Sequence, residues 1–135
     1  MDRVIPICPF FEVCGGCDTQ DIPYDAQTRR KASELIRLFE PIAAPSLWQP
    51  FIASSEPFPL FFRNKLRFGF LQKDRAVWPS RHRKGIEEAD VGVDRCFLLS
   101  EISNQIMNAT ARFATRRQWS VYTPATGKGW LKHII

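Results

Sequence analysis

No run of apolar residues in this chain approaches the roughly 20 that a membrane-spanning helix needs. Met1 is followed by Asp2 and Arg3, and no apolar core of a secretory leader precedes the first cysteine. There is no Gly-x-Gly-x-x-Gly loop of the kind that opens a Rossmann-like pocket. Thr126-Gly127-Lys128-Gly129 lacks the earlier glycine and the following Ser or Thr of a phosphate loop, and reads as a turn. Internal repeats and low-complexity tracts are absent too. No membrane partner is expected, and the expected location is cytoplasmic, where thiols and metal thiolates are favoured over structural disulfides.

What is present suits one folded domain with a core. The 135 residues are 44% hydrophobic and 24% charged, a globular balance rather than that of a disordered chain. Cysteine is scarce but placed with a pattern. Three of the four cysteines fall in Cys8-x5-Cys14-Gly15-Gly16-Cys17, and the fourth is Cys96. Gly15 and Gly16 allow the backbone to turn sharply, so three thiols can converge on one centre that a remote fourth thiol completes.

The net charge is +5, and it is concentrated. Between Arg63 and Lys84 stand eight basic residues against one acid, Asp74, a local charge of +7 that leaves the rest of the chain at −2. Local basicity of this kind suits a polyanion-binding face; the bland alternative is a solvated hairpin.

In chain order, Pro23 suits the start of a helix running to about Glu40, with Ala32, Leu35, Ile36 and Phe39 as an apolar stripe for core packing. Arg29, Arg30 and Lys31 read as its solvated face. Pro41, Pro45, Pro50, Pro57 and Pro59 predict an extended, irregular crossing. Phe62 to Leu71 alternates as a strand. It buries Phe62, Leu66, Phe68 and Phe70, with Asn64 on that same face, and presents Arg63, Lys65 and Arg67 on the other, about 7 Å apart. That spacing is close to that of successive nucleic-acid phosphates. A turn at Gln72–Arg75, a second strand over Ala76–Ser80 and a basic loop from Arg81 to Gly85 follow, and then a third strand over Glu87–Val93. Ser100 caps a second helix, with Ile102, Ile106, Ala109 and Phe113 at helical spacing and Arg116 and Arg117 at its end. Trp119–Tyr122 and Trp130–Ile135 read as further strands. The predicted class is α+β: a small antiparallel sheet with two helices and an amino-terminal cysteine loop. Because the chain stops on a strand, the sheet and its domain are expected to be incomplete.

Four thiols admit two metal occupants on spacing. Zinc commonly takes two Cys-x2-Cys pairs, and only Cys14 and Cys17 make one here. Three clustered thiols plus one distant thiol is the looser arrangement of iron–sulfur proteins. These residues, with Gln20, the basic helix, Phe62-Arg63-Asn64-Lys65 and Gly129-Trp130-Leu131-Lys132-His133, resemble the iron–sulfur RNA 5-methyluridine (uracil-C5) methyltransferase family. The resemblance runs through essentially all 135 residues.

It implies a [4Fe–4S] cluster on Cys8, Cys14, Cys17 and Cys96, structural and RNA-positioning in role. It also implies RNA contacts at Arg63, Asn64, Lys65 and Arg67. The RNA partner would be ribosomal (23S) more than transfer RNA. Two features depart from the family. The small β-barrel with which many members begin is absent. So is the S-adenosylmethionine domain, for C5 methylation needs a cysteine to add at C6, a general base and a cofactor pocket. With four cysteines on iron, no nucleophile remains. The expectation is residues 1–135 as a partial iron–sulfur, RNA-binding central domain, inactive alone. It would be an excised fragment, a truncated product or one piece of a split enzyme whose catalytic half is a separate chain. The alternatives are a stand-alone RNA-binding module stapled by zinc or iron–sulfur and, with less support, a ferredoxin-like electron carrier.

Overall fold

The computed structural model describes residues 3–54, 59–86 and 91–135. They divide into two compact units, one of residues up to Pro6 plus Thr19–Pro59, the other of Ile7–Asp18 plus Leu60–Ile135.

The first unit is built on helix α1, Tyr24–Phe39, with Pro23 at its cap position and no side chain capping it. Gln27 instead ties the first turn to the segment before it. Its amide nitrogen donates to the carbonyls of Thr19 and Ile22, both at 2.8 Å, and its oxygen accepts from the Thr19 hydroxyl. Asp21 is buried and paired with Arg3. The proline-rich stretch is irregular as expected, with one short 3-10 turn at Pro45–Leu47; Pro57 lies outside the described residues. The stripe read as core packing is a correction: no residue of α1 is buried, and Leu35, Ile36 and Phe39 are exposed. A single helix and irregular chain offer this unit no apolar layer to cover that stripe.

The second unit is α+β. Strands β1 (Phe68–Lys73), β2 (Ala76–Arg81), β3 (Val91–Gly92) and β4 (His133–Ile134) form an antiparallel sheet in the order β3-β2-β1-β4. Lys73 pairs with Ala76, so β1 and β2 are joined by two residues, Asp74 and Arg75. Both have positive φ (52° and 66°), which matches the right-handed strand twist in a tight hairpin. Of the predicted third strand, Glu87–Asp90 lie outside the described residues, and the strand they lead to is Val91–Gly92. The carboxy-terminal strands are shorter than read: 121–131 is held by isolated bridges, Val121 with Leu131 and Thr123 with Lys128.

Helix α2, Glu101–Arg116, starts where predicted, its Ser100 hydroxyl accepting the Ser103 N–H at 3.1 Å. Its buried face is Asn104, Met107, Ala111 and Ala114, whereas Ile102 and Ile106 of the apolar stripe are 69% and 57% exposed. Small alanines let the helix approach the sheet closely, and Ala111 and Ala114 pack with Phe70 and Val77. A second cluster joins Phe68, Val91, Val93, Leu99 and Met107.

Candidate thiolate centre and nucleic-acid interface

All four cysteines belong to the second unit, all half-buried and none in a disulfide. The amino-terminal loop is wound by its own backbone: Phe11 N–H donates to the Cys8 carbonyl, and Cys14 N–H to that of Phe10 at 2.8 Å. It is then stitched to the basic loop after β2. Gly15 N–H donates to the His82 carbonyl and Lys84 N–H to the Val13 carbonyl, both at 2.9 Å, with Cys14 bridged to Arg83. Lys84 also pairs with Asp18 at 3.2 Å.

Cys14 and Cys96 pack against the same core cluster, with Phe10 and Leu66 beside them. The Cys8 thiol is pushed above the usual thiol range, first by burial, while hydrogen bonding from the Phe10 amide pulls the other way. The Cys14 and Cys96 thiols raise it further. Cys14 and Cys96 thus share one core cluster, and the Cys8 thiol feels both. Among the described residues, no group of three or more His, Cys, Asp or Glu side chains is drawn together closely enough to hold a metal ion as it stands. The four thiols fit a soft metal or an iron–sulfur cluster in kind, and metal-thiolate sites commonly close only as the metal binds.

A cation lies over this loop. Arg81 donates to the Arg67 carbonyl at 2.6 Å and stacks on Phe68 with its guanidinium 5.5 Å from the ring. A Cβ built on Gly16 would be 3.4 Å from both Arg81 Nη2 and Cys14 Sγ.

Arg63, Asn64, Lys65 and Arg67 are all exposed, but they are not one face of a strand. Strand β1 begins only at Phe68, and Phe62 is 54% exposed rather than buried. The reason is local. Phe61 has φ of 56°, and the backbone turns aside to pair with the loop before α2, Phe61 N–H to the Phe97 carbonyl and Arg63 N–H to that of Leu98, each at 2.9 Å. Of the four, Arg67 joins further positive groups. His133 on β4 is held below its ordinary pKa, first by partial desolvation and then by the charges of Arg67, Lys132 and His82. Lys132 and His133 stand in the sequence motif but not among the residues expected to touch RNA; the signal is a Lys-His pair on a terminal strand, which only pairing with β1 brings to Arg67.

The structure adds a second cationic surface that periodicity does not show. An open cleft of about 470 Å3 between β2 and α2 is lined by Trp78, Asn108, Arg112 and Arg116 among others. The two arginines are one helical turn apart, and among the described residues neither is paired with an acid.

No family model matches the chain. Curated proteins do. An "Uncharacterized RNA methyltransferase" of Clostridium tetani is 30% identical over 131 residues, 95% of this chain and 28% of that protein. Proteins of the same name from Bacteroides thetaiotaomicron and Thermotoga maritima are 29% and 30% identical, over 98% and 99% of this chain. Over nearly its whole length the chain is similar to these RNA methyltransferases. It spans less than a third of the length of these relatives, 28%, 32% and 29% respectively. Among the described residues no helix is long and apolar enough to cross a membrane.

Proposed function

We propose that this chain is the iron–sulfur, RNA-contacting portion of an S-adenosylmethionine-dependent RNA uracil-C5 methyltransferase acting on ribosomal (23S) RNA. Cys8, Cys14, Cys17 and Cys96 would hold a [4Fe–4S] cluster that fixes the backbone and performs no redox step. The observation that carries this reading is the stitching of the cysteine loop to the His82–Lys84 backbone, which makes the thiol set and the basic loop one structural piece. A cluster there would position cations for RNA.

The exposed cations Arg63 and Lys65, Arg67 with Lys132 about His133, and Trp78 with Arg112 and Arg116 in the cleft suit single-stranded RNA. An aromatic platform flanked by arginines is how unstacked bases and their phosphates are commonly held. With four thiols committed to iron, the thiolate that adds to C6 and the S-adenosylmethionine pocket must come from the part of the relatives that this chain does not span. The chain alone is therefore inactive.

Anaerobic purification tests the cluster. The expected protein is brown, with thiolate–iron absorption near roughly 400 nm and about four irons and four sulfides per chain. A colourless protein holding one zinc would overturn the cluster in favour of a zinc-stapled RNA-binding module. Filter binding with a uridine-rich RNA tests the partner, and no binding at low salt would remove it.

A further inference from the structure

Three of the four thiols arrive on one short loop, but Cys96 has to be delivered by the fold. It lies in the connection between β3 and α2, outside every strand, so no sheet ladder holds its peptide. Its backbone is held instead by the side chain of Asn104, with the Leu99 N–H also donating to the Cys96 carbonyl at 3.1 Å. The Asn104 oxygen accepts the Cys96 N–H at 2.7 Å, and its amide nitrogen donates back to the Cys96 carbonyl at 3.0 Å. The same nitrogen reaches the carbonyls of Ser100 at 3.1 Å and Leu99 at 3.3 Å. Two amide hydrogens are thus shared among three carbonyls of one turn. Asn104 is 3% exposed, a polar residue in the middle of the buried face of α2.

We propose that Asn104 is the positioning residue of the thiolate centre, setting the direction of the Cys96 side chain by holding both polar groups of its residue. The proposal rests on the reading of Cys96 as a cluster ligand. The geometry favours it over a helix-capping role, because Ser100 already caps α2 through its own hydroxyl. It also favours it over plain core filling, because an apolar side chain of similar size would suit the surrounding Leu99 and Met107 at lower desolvation cost. A clamp on both sides of the Cys96 backbone leaves the Cα–Cβ bond fixed while the thiol is free to choose its rotamer. A ligand far from its partners in sequence needs that: its position is preset, and only the last bond adjusts as the cluster closes. Outer partners that orient ligands commonly matter by roughly 10- to 100-fold in metal affinity.

The test uses the full chain, reconstituted anaerobically with iron and sulfide. Iron and sulfide per chain and the rate of cluster loss to a chelator are measured together with thermal unfolding. Asn104→Ala should lose its cluster at least tenfold faster than the parent. Asn104→Asp keeps an acceptor for the Cys96 N–H but loses the donations, and should fall between the two; it carries the test if Asn104→Ala does not fold. Val77→Ala, in the other core cluster, serves as the stability control. If it matches the Asn104 variants both in melting temperature and in cluster loss, Asn104 is merely structural and the proposal fails. Wild-type retention in Asn104→Asp overturns it as well. Cys96→Ser separates the two layers of argument. If it keeps a full cluster, Cys96 is no ligand and the underlying reading falls. If it loses the cluster while the Asn104 variants keep theirs, only the positioning role falls.

Discussion

Gly15 donates its backbone N–H to the carbonyl of His82 at 2.9 Å, and through that bond the amino-terminal cysteine loop is fastened to the loop that follows β2. The approach is close. A Cβ at Gly15 would stand 3.4 Å from the His82 carbonyl oxygen and 3.5 Å from that of Arg83. Alanine fits at the limit of contact, whereas the branched atoms of valine do not. Gly15→Val should leave the sheet folded, because Gly15 itself belongs to neither core cluster, but release the loop. The expected readout is faster alkylation of Cys14 by iodoacetamide, followed by mass spectrometry. An unchanged rate would mean that the loop is not held by this pairing.

Gly129 makes a sharper stability prediction. It has φ of 115°, and a Cβ there would lie 2.2 Å from the Val121 carbonyl oxygen. The clash is with backbone and cannot be relieved by a rotamer. Gly129→Ala should cost on the order of 2 kcal/mol or more in chemical denaturation. Arg75→Gly should act oppositely, raising stability by about 1 kcal/mol, because Arg75 occupies the left-handed region at φ of 66° in the β1–β2 turn.

His133 reports on the cationic surface. Its ring sits among Arg67, Lys132 and His82 and is depressed below the ordinary value of 6.5. A depressed folded-state value means that the unfolded chain binds the proton more readily. Stability associated with the neutral ring is therefore complete above about 6.5 and is lost as pH falls through the folded-state pKa. Proton NMR of the ring should show that depression in the free chain and an upward shift when RNA phosphates dock beside Arg67. A titration curve that does not move on RNA addition would place the RNA elsewhere.

Salt dependence separates the two surfaces proposed to hold RNA. For a single strand, every phosphate that a cation neutralises adds about 0.7 to the steepness of log affinity against log salt. Replacing Arg63, Lys65 and Arg67 together by glutamine should therefore make the slope shallower, by up to roughly three times that amount. Trp78→Ala should instead weaken binding by roughly 1–3 kcal/mol with the slope unchanged, since stacking releases no counterions. If the triple variant binds with the parent's slope, those residues do not touch phosphate.

How far the sequence reaches is visible in individual residues. The Ser100 cap and the length of α2 are legible because capping is local chemistry, and so is the β1–β2 hairpin, although its turn, read as Gln72–Arg75, is only Asp74–Arg75. The face of α2 is not. Ile102, Ile106 and Phe113 outweigh Met107, Asn104 and two alanines in any hydrophobic count, yet the helix turns that second set inward. The hydrogen bonds of Asn104 and the close helix–sheet approach that alanines permit decide the rotation. Likewise, alternation carries the predicted strand back to Phe62. The left-handed backbone at Phe61 and the pairing of Arg63 with the 98–99 segment withdraw it from the sheet.

The sequence by itself determined the likeness to RNA methyltransferases, the α+β class, the thiol pattern and the local excess of positive charge, because each is written in residue type and spacing. Only the tertiary structure decided which groups meet. It placed His82 on Gly15, His133 and Lys132 beside Arg67, Arg112 and Arg116 around Trp78, and Cys96 in the grip of Asn104. Those meetings join residues far apart in the chain, and they depend on hydrogen-bond partners and shape that no periodicity encodes.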